Sequence, residues 1–315
     1  MLGNATCGTQ GCSFVLATHD GGKTWRSTPY REGSIQPPGF PVDLLGGAAV
    51  VRFADEHNGW VTSGDTVSAT HDGGASFHDA HAIPRDSRVA ALATGGAMAY
   101  AVAYRCSSES ADNCARSAVV YATPISSDRW RPVSATLAGR ALELDVQGTD
   151  WYLPLRGGIY HGHGSAAPIR LPNPCPQDPS SREAPAIAVA DAQHLDAMCA
   201  GGGAGGSSQY QLYGTTDGGR HWHKAGPVHR AESNLSGIAD NGAGVLLVAV
   251  ASGDSQILRS TDDGASLNAA LRKTSNGTRW ADLGFTSAAQ AVTVLPGKAL
   301  FLSRDSGHTW SAVRF

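Results

Sequence analysis

The sequence predicts an all-β chain assembled from repeated antiparallel units, and three observations carry that expectation. An eight-residue segment returns five times, short apolar runs flank the copies, and the composition suits many short strands and turns. The copies are Thr18-His19-Asp20-Gly21-Gly22-Lys23-Thr24-Trp25, Thr70-His71-Asp72-Gly73-Gly74-Ala75-Ser76-Phe77, Thr215-Thr216-Asp217-Gly218-Gly219-Arg220-His221-Trp222, Ser260-Thr261-Asp262-Asp263-Gly264-Ala265-Ser266-Leu267 and Ser303-Arg304-Asp305-Ser306-Gly307-His308-Thr309-Trp310. All obey one rule: a hydroxyl residue, any residue, Asp, any, Gly, any, usually Thr or Ser, then a large apolar residue.

Asp followed by Gly-Gly or x-Gly is a turn signal, because Gly supplies positive φ and the carboxylate accepts nearby backbone N–H groups. Apolar runs such as Phe14-Val15-Leu16 and Leu300-Phe301-Leu302 precede the octets, and the final Trp, Phe or Leu begins another extended segment. Each octet therefore reads as a tight β-hairpin. Its Asp braces the turn and its large apolar residue plugs the sheet: Asp20 with Trp25, Asp72 with Phe77, Asp217 with Trp222, Asp262 with Leu267, Asp305 with Trp310. A working site occurs once, whereas a brace recurs in every unit, so these Asp residues are structural.

The octet resembles the Asp-box, or bacterial neuraminidase repeat, of sialidase-like β-propellers. The same box occurs in sortilin-type receptors, xyloglucan-cleaving enzymes and the photosystem II assembly propeller. The resemblance implies one propeller domain over residues 1–315 and says nothing about activity, since in that superfamily the box lies on the side opposite the active centre.

The Asp positions are separated by 52, 145, 45 and 43 residues, and the gap of 145 has room for three units of about 48. Five intact octets and two decayed ones then give a seven-bladed β-propeller of four-stranded antiparallel blades. The blades fall at approximately 1–30, 48–80, 88–134, 140–172, 185–226, 236–270 and 281–315, with each octet between third and fourth strands. The first blade lacks its innermost strand, as if the chain had been cut inside it. The third octet keeps Thr123 and Trp130 but has Ile125 in place of Asp; the fourth has decayed to His161-Gly162-His163-Gly164.

At 315 residues the chain can bury a substantial core, and with 16% charged residues and 39 Gly it is neither coiled coil nor disordered. A net charge of −3 gives no general pull toward nucleic acid or anionic membrane, and no apolar run is long enough to cross a bilayer as a helix. Six cysteines fall into local pairs, Cys7 with Cys12, Cys106 with Cys114 and Cys175 with Cys199, which points to disulfides and a secreted or extracytoplasmic protein. No export signal precedes Leu2, so one is expected to have been removed. The Ala- and Gly-rich composition has a bacterial look, which would leave the sequons at Asn4, Asn234 and Asn276 idle.

Blade topology puts the octets and the first-to-second turns at one end. The second-to-third loops and blade connections, with all three cysteine pairs, the long 30–47 connection, the 201–208 glycine loop and the Pro-rich 171–185 segment, lie at the other. Stapled loops on a rigid scaffold either form a binding surface or are merely pinned; both readings stay open.

Sialidases grip a carboxylate with three arginines, attack with a Tyr–Glu pair and use an Asp acid/base on that loop-bearing face. Here Arg88, Arg140, Arg182, Glu183 and Arg279, with Trp280, stand just before innermost strands, and converging arginines bind anions through planar contacts. The sialidase Arg-Ile-Pro signature is missing, Ala82-Ile83-Pro84-Arg85 only rearranging its letters. No Tyr–Glu pair matches the family positions. The best local carboxylate pair for glycosidase chemistry is Glu143 and Asp145, placed on one side of a strand by the two-residue period. His161/His163 and His221/His223 have a spacing that can chelate zinc or copper, but they occupy turn positions and are read as incidental, so no metal is expected.

No cofactor is expected either: the Gly201–Gly206 run lacks the following helix and Lys of a phosphate loop, and Gly-x-Ser-x-Gly is absent. With 7% aromatics a single-stranded nucleic-acid groove is not indicated. The resulting expectation is a monomeric, extracytoplasmic binding or scaffolding propeller that takes a glycan or protein ligand on its loop-rich end. The alternative is a sialidase-like glycoside hydrolase that uses the channel carboxylates and arginines. A weaker third reading is an assembly factor that clasps a protein through the arginine-bearing end.

Overall fold

The computed structural model describes residues 2–7, 10–20, 23–32, 50–62, 66–80, 83–84, 86–106, 114–139, 143–155, 157–175, 184–201, 208–231, 234–251, 254–274 and 278–313. Among them there are strands and no helix. Twenty-eight strands follow in chain order, each sheet formed from consecutive strands.

Strands β1 (Leu2–Cys7), β2 (Gln10–Ala17) and β3 (Arg26–Glu32) make a three-stranded sheet. Next come β4 (Val50–Phe53), β5 (Gly59–Thr62), β6 (Val67–Thr70) and β7 (His78–Asp79), four strands in order. The third sheet holds β8 (Ser87–Gly95), β9 (Met98–Cys106), β10 (Cys114–Pro124), β11 (Arg131–Pro132) and β12 (Leu137–Ala138). Here β11 and β12 both pair with β10, at Tyr121–Ala122 and Ser117–Ala118, so they are two pieces of one outer strand. The fourth sheet is β13 (Asp145–Gln147), β14 (Asp150–Leu155), β15 (Gly158–His163) and β16 (Ile169–Leu171). The fifth is β17 (Ala186–Val189), β18 (Leu195–Gly201), β19 (Ser208–Thr215) and β20 (His223–Ala231). The sixth is β21 (Asn234–Asp240), β22 (Leu246–Ala251), β23 (Asp254–Ser260) and β24 (Asn268–Thr274). The last is β25 (Ala281–Phe285), β26 (Ala291–Leu295), β27 (Ala299–Ser303) and β28 (Ser311–Val313).

This corrects the expected seven blades to six. Six sheets carry a four-stranded path, whereas the N-terminal sheet has three strands and is not a four-stranded blade. Octet spacing registers a hairpin wherever one exists, but a hairpin is only half a blade.

The chain divides into two compact units, one of Met1–Leu153, Tyr160–Ile169 and Phe315, the other of Pro154–Ile159 and Arg170–Arg314. In the first, β4 lies against β8 and β8 against β13; in the second, β17 lies against β21 and β21 against β25. Period-two alternation explains how one sheet serves two neighbours. Every residue of β22 is buried. Leu246, Val248 and Val250 join Met198, Tyr210 and Leu212 of the preceding sheet, while Leu247 and Ala249 join Trp280, Leu295 and Phe301 of the following one. In the first unit Trp60, Val67 and Ala69 pack with Val89, Leu92, Tyr121 and Trp130 in the same way.

The octets are the turns β2–β3, β6–β7, β19–β20, β23–β24 and β27–β28. At Asp72, Oδ1 accepts Thr70 Oγ1 (2.7 Å) and Ser76 N (2.9 Å), Oδ2 accepts Ser76 Oγ (2.6 Å), and Gly74 N donates back to Thr70 Oγ1 (2.9 Å). Asp262 repeats this with Ser260, Ser266 and Gly264, and Asp305 with Ser303, Thr309 and Gly307. Asp20 takes Thr18 and Thr24 in the same roles. At Asp217 the seventh position is His221, whose Nδ1 donates to Oδ2 at 2.6 Å where the other turns use a hydroxyl. The glycine at the octet's fifth position has positive φ in the four described copies and is buried, and Gly219, Gly264 and Gly307 seat against the sheet before. A Cβ on Gly264 (φ 79°) would lie 2.1 Å from Leu212 Cδ2, and one on Gly307 (φ 78°) would lie 2.6 Å from Leu247 Cδ2.

Outer strands are interrupted. Register shifts in the β2–β3, β19–β20 and β23–β24 pairings mark bulges, and Pro29, Pro132 and Pro227 lie in β3, β11 and β20.

Two predictions follow from the turns. Gly264→Ala combines a left-handed backbone with overpacking onto Leu212 and should lower the unfolding free energy by about 2–4 kcal/mol in urea titrations; a change within the error of the titration would mean that the turn relaxes freely. Hydrogen bonds hold the octet carboxylates below the usual range, foremost from the Ser260 hydroxyl at Asp262 and the Thr309 hydroxyl at Asp305, both down to about 2. A depressed folded value gives stability that is complete above the unfolded value of about 4 and is lost as pH falls through the folded one. The urea midpoint should therefore fall between about pH 4 and pH 2, and Asp262→Asn should reduce that slope while lowering stability at neutral pH.

Candidate functional site

At the end of the second-to-third loops, the disulfide Cys175–Cys199 ties the segment after β16 to β18, with Cα atoms 5.4 Å apart across a separation of 24 residues. Beside it, Gly157, Arg170, Leu171, Pro172 and Asn173 line a shallow cleft. Arg170 Nη2 donates to Gly157 O, and Cys175 N donates to Asn173 Oδ1 at 3.0 Å. Cys106 is also disulfide-bonded, and the β9–β10 register sets it opposite Cys114. Cys7 and Cys12 lie in β1 and β2, and their side chains fall outside the described residues.

The residues named from sequence are distributed unevenly. Arg88 is half-buried in β8, and Arg279 is exposed just before β25. Arg140, Arg182 and Glu183 lie outside the described residues. Trp280 is not a surface aromatic: only 4% of it is exposed, and its ring meets Phe301 edge-on at 5.7 Å inside the core. Glu143 and Asp145 do not share a strand, because β13 begins at Asp145 and Glu143 precedes it. Asp145 Oδ1 accepts its neighbour's amide, Val146 N, at 2.8 Å.

At the octet end of the sheets the histidines are engaged with carboxylates. His161 Nε2 and His163 Nδ1 both reach Asp150 Oδ1, at 2.7 and 3.1 Å, and His161 stacks on Tyr152 with centroids 4.5 Å apart. His221 is committed to Asp217, so the two His-x-His pairs are parts of turns and strand ends.

Two clusters escaped the sequence reading. Asp196 of β18 is half-buried and shares a hydrogen bond with Asp240 of β21; burial, then the Asp240 charge, pushes its carboxyl up to about 7. The second joins His71, His78 and Asp128. Asp128 Oδ2 lies 3.1 Å from His71 Nε2 and 2.7 Å from His78 Nε2, and Asp128 Oδ1 accepts Trp60 Nε1 at 3.2 Å. One ligand-capable atom from each residue lies within 4.8 Å of the other two. The only local signal was one histidine within an octet and another just after it; Asp128 stands 50 residues beyond His78.

No protein-family profile matches the chain, and no curated protein matches it. Solved structures do. A structure of YCF48 bound to D1 peptide is 16% identical over 88% of this chain and 83% of that one, with a TM-score of 0.56. An ancestral GH74 enzyme is 12% identical over 95% of this chain and 44% of its own, with a TM-score of 0.58. A Mycobacterium tuberculosis puromycin-hydrolyzing peptidase is 13% identical over 99% of this chain and 52% of its own, with a TM-score of 0.61. This chain thus spans 44% and 52% of those two enzymes. At such identities the likeness establishes the fold, and the chain is a β-propeller.

Proposed function

We propose that this is a non-catalytic binding or scaffolding propeller of the Asp-box kind, working outside the cytoplasm and taking an anionic polypeptide segment on its disulfide-stapled end. The observation that carries the reading is the Cys175–Cys199 cross-link, which ties the end of the segment after β16 to β18 beside the cleft lined by Arg170 and Asn173. A segment anchored by a cross-link has less ordering entropy to lose on binding. Arg170 at the cleft and exposed Arg279 offer planar, charge-assisted donors suited to carboxylates. The neighbour with a bound peptide is consistent with a polypeptide ligand. The cross-link and the octets agree with an extracytoplasmic protein, and no helix among the described residues is long and apolar enough to cross a membrane.

The competing hydrolase reading needs two placed carboxylates, and Glu143 with Asp145 are a weak pair for that task because they lie on different backbone elements. A panel of fluorogenic glycosides, sialosides included, is expected to show no turnover. Turnover abolished by Glu143→Gln or Asp145→Asn would overturn the binding reading. In anisotropy titrations with labelled Asp/Glu-rich peptides, Arg170→Ala and Arg279→Ala should each weaken binding roughly tenfold or more. Unchanged affinity in both variants would move the ligand elsewhere. Replacing Cys175 and Cys199 by Ser should lower the unfolding free energy by about 3 kcal/mol, the loop-entropy value for this separation; a loss under about 1 kcal/mol would show that the connection is held by other contacts.

A further inference from the structure

We propose that His71, His78 and Asp128 form a binding site for a divalent late transition-metal ion such as zinc, at the junction of the β4–β7 and β8–β12 sheets. The inference is independent of the ligand reading above, since it uses other residues on other sheets.

The histidines come from one turn. His71 is the second residue of the octet and His78 is the first residue after it, so the Asp72 brace that closes the turn also brings their rings to 5.6 Å. Asp128 comes from the β10–β11 turn of the next sheet, which Thr123 Oγ1 holds by donating to Ser127 O at 2.7 Å. Its orientation is fixed as well. Oδ1 is taken by the indole of fully buried Trp60, which leaves Oδ2 for the imidazoles.

The tautomer of His71 points to a cation. Asn58 Nδ2 lies 3.1 and 2.8 Å from the two oxygens of Asp55, which can only accept, so the amide oxygen must be the atom turned to His71. His71 Nδ1, 2.6 Å from that oxygen, is therefore the donor, and in the neutral ring Nε2 carries a lone pair. That lone pair faces a carboxylate oxygen at 3.1 Å, an arrangement that needs a positive centre between the two atoms. Supplying it with a proton would make His71 an imidazolium, whereas neutral His78 can donate from Nε2 in one tautomer and ligate through it in the other. One divalent ion would satisfy the His71 lone pair and the carboxylate together and take His78 Nε2 as a third ligand. A carbonyl-type acceptor on the far ring nitrogen is the arrangement that orients metal-bound histidines. Two imidazole nitrogens and one carboxylate oxygen suit zinc and its neighbours rather than calcium or magnesium. Both rings are solvent-accessible, His78 at 54% and His71 at 33% of the side chain, so water can complete the coordination. The ion would then cross-link two successive sheets.

The test is calorimetric titration of the full chain with zinc chloride near neutral pH, together with the visible spectrum of its cobalt(II) complex. One equivalent should bind, and the cobalt spectrum should carry the intense bands of a low-coordinate site with nitrogen ligands. His78→Ala and Asp128→Asn should each weaken zinc binding at least tenfold, and Asn58→Ala by roughly 10–100-fold. His163→Ala should leave binding unchanged. Circular dichroism confirms the fold of each variant, and the cobalt spectrum reads the site in the unaltered chain. No stoichiometric binding at micromolar protein, an octahedral cobalt spectrum, or affinity unchanged in both His78→Ala and Asp128→Asn would overturn the proposal and leave a proton-linked cluster.

Discussion

The described structure depends on one small network, the clasp between an octet carboxylate, the hydroxyl two residues before it and the amide four residues after it. It turns two strands back on each other, but its wider effect comes through the glycine that it holds in a left-handed conformation. Because Gly219, Gly264 and Gly307 have no side chain, Leu171, Leu212 and Leu247 of the preceding sheets can press against the turns. A local hydrogen-bond pattern is thereby converted into contact between sheets. His221 shows which part is essential: the hydroxyl at the seventh position can become an imidazole, provided that a donor still reaches the second carboxylate oxygen.

The rest of the cohesion comes from strands buried on both faces. In β22 alternate residues serve opposite neighbours, and the same run of apolar residues reads as one continuous stretch in sequence. Two carboxyls at such a junction behave unlike the octet acids. Asp196 and Asp240 lie where solvent is thin, and one proton between them relieves the repulsion. Exposed, hydrogen-bonded acids and half-buried, paired acids therefore draw opposite pH responses from one fold.

The octets were legible because everything that makes them turns lies within eight residues. Blade number was not, since completing a four-stranded sheet requires long-range pairing, and β1–β3 have the hairpin without the fourth strand. Trp280 illustrates a related limit. It adjoins Arg279 in sequence, yet Trp280 is buried in the core and Arg279 is exposed to solvent. For Glu143 and Asp145 the period-two argument required a strand two residues longer than β13 is. The His71, His78 and Asp128 group was half visible: the turn that holds its histidines is local, whereas the carboxylate arrives through sheet packing.

The interrupted outer strands have a further meaning. A sheet whose last strand is straight and unpaired invites another strand to add to it, and a chain of repeated sheets multiplies that hazard. Here the outer strands β3 and β20 carry both proline and bulged register, with Gly226 and Pro227 bent out of the β19–β20 ladder, while β24 is bulged and β11, which carries Pro132, is divided from β12. Such rims accept incoming strands poorly. Neighbouring molecules in a crowded solution would glance off these edges, and recognition would be left to the loops and turns at the strand ends.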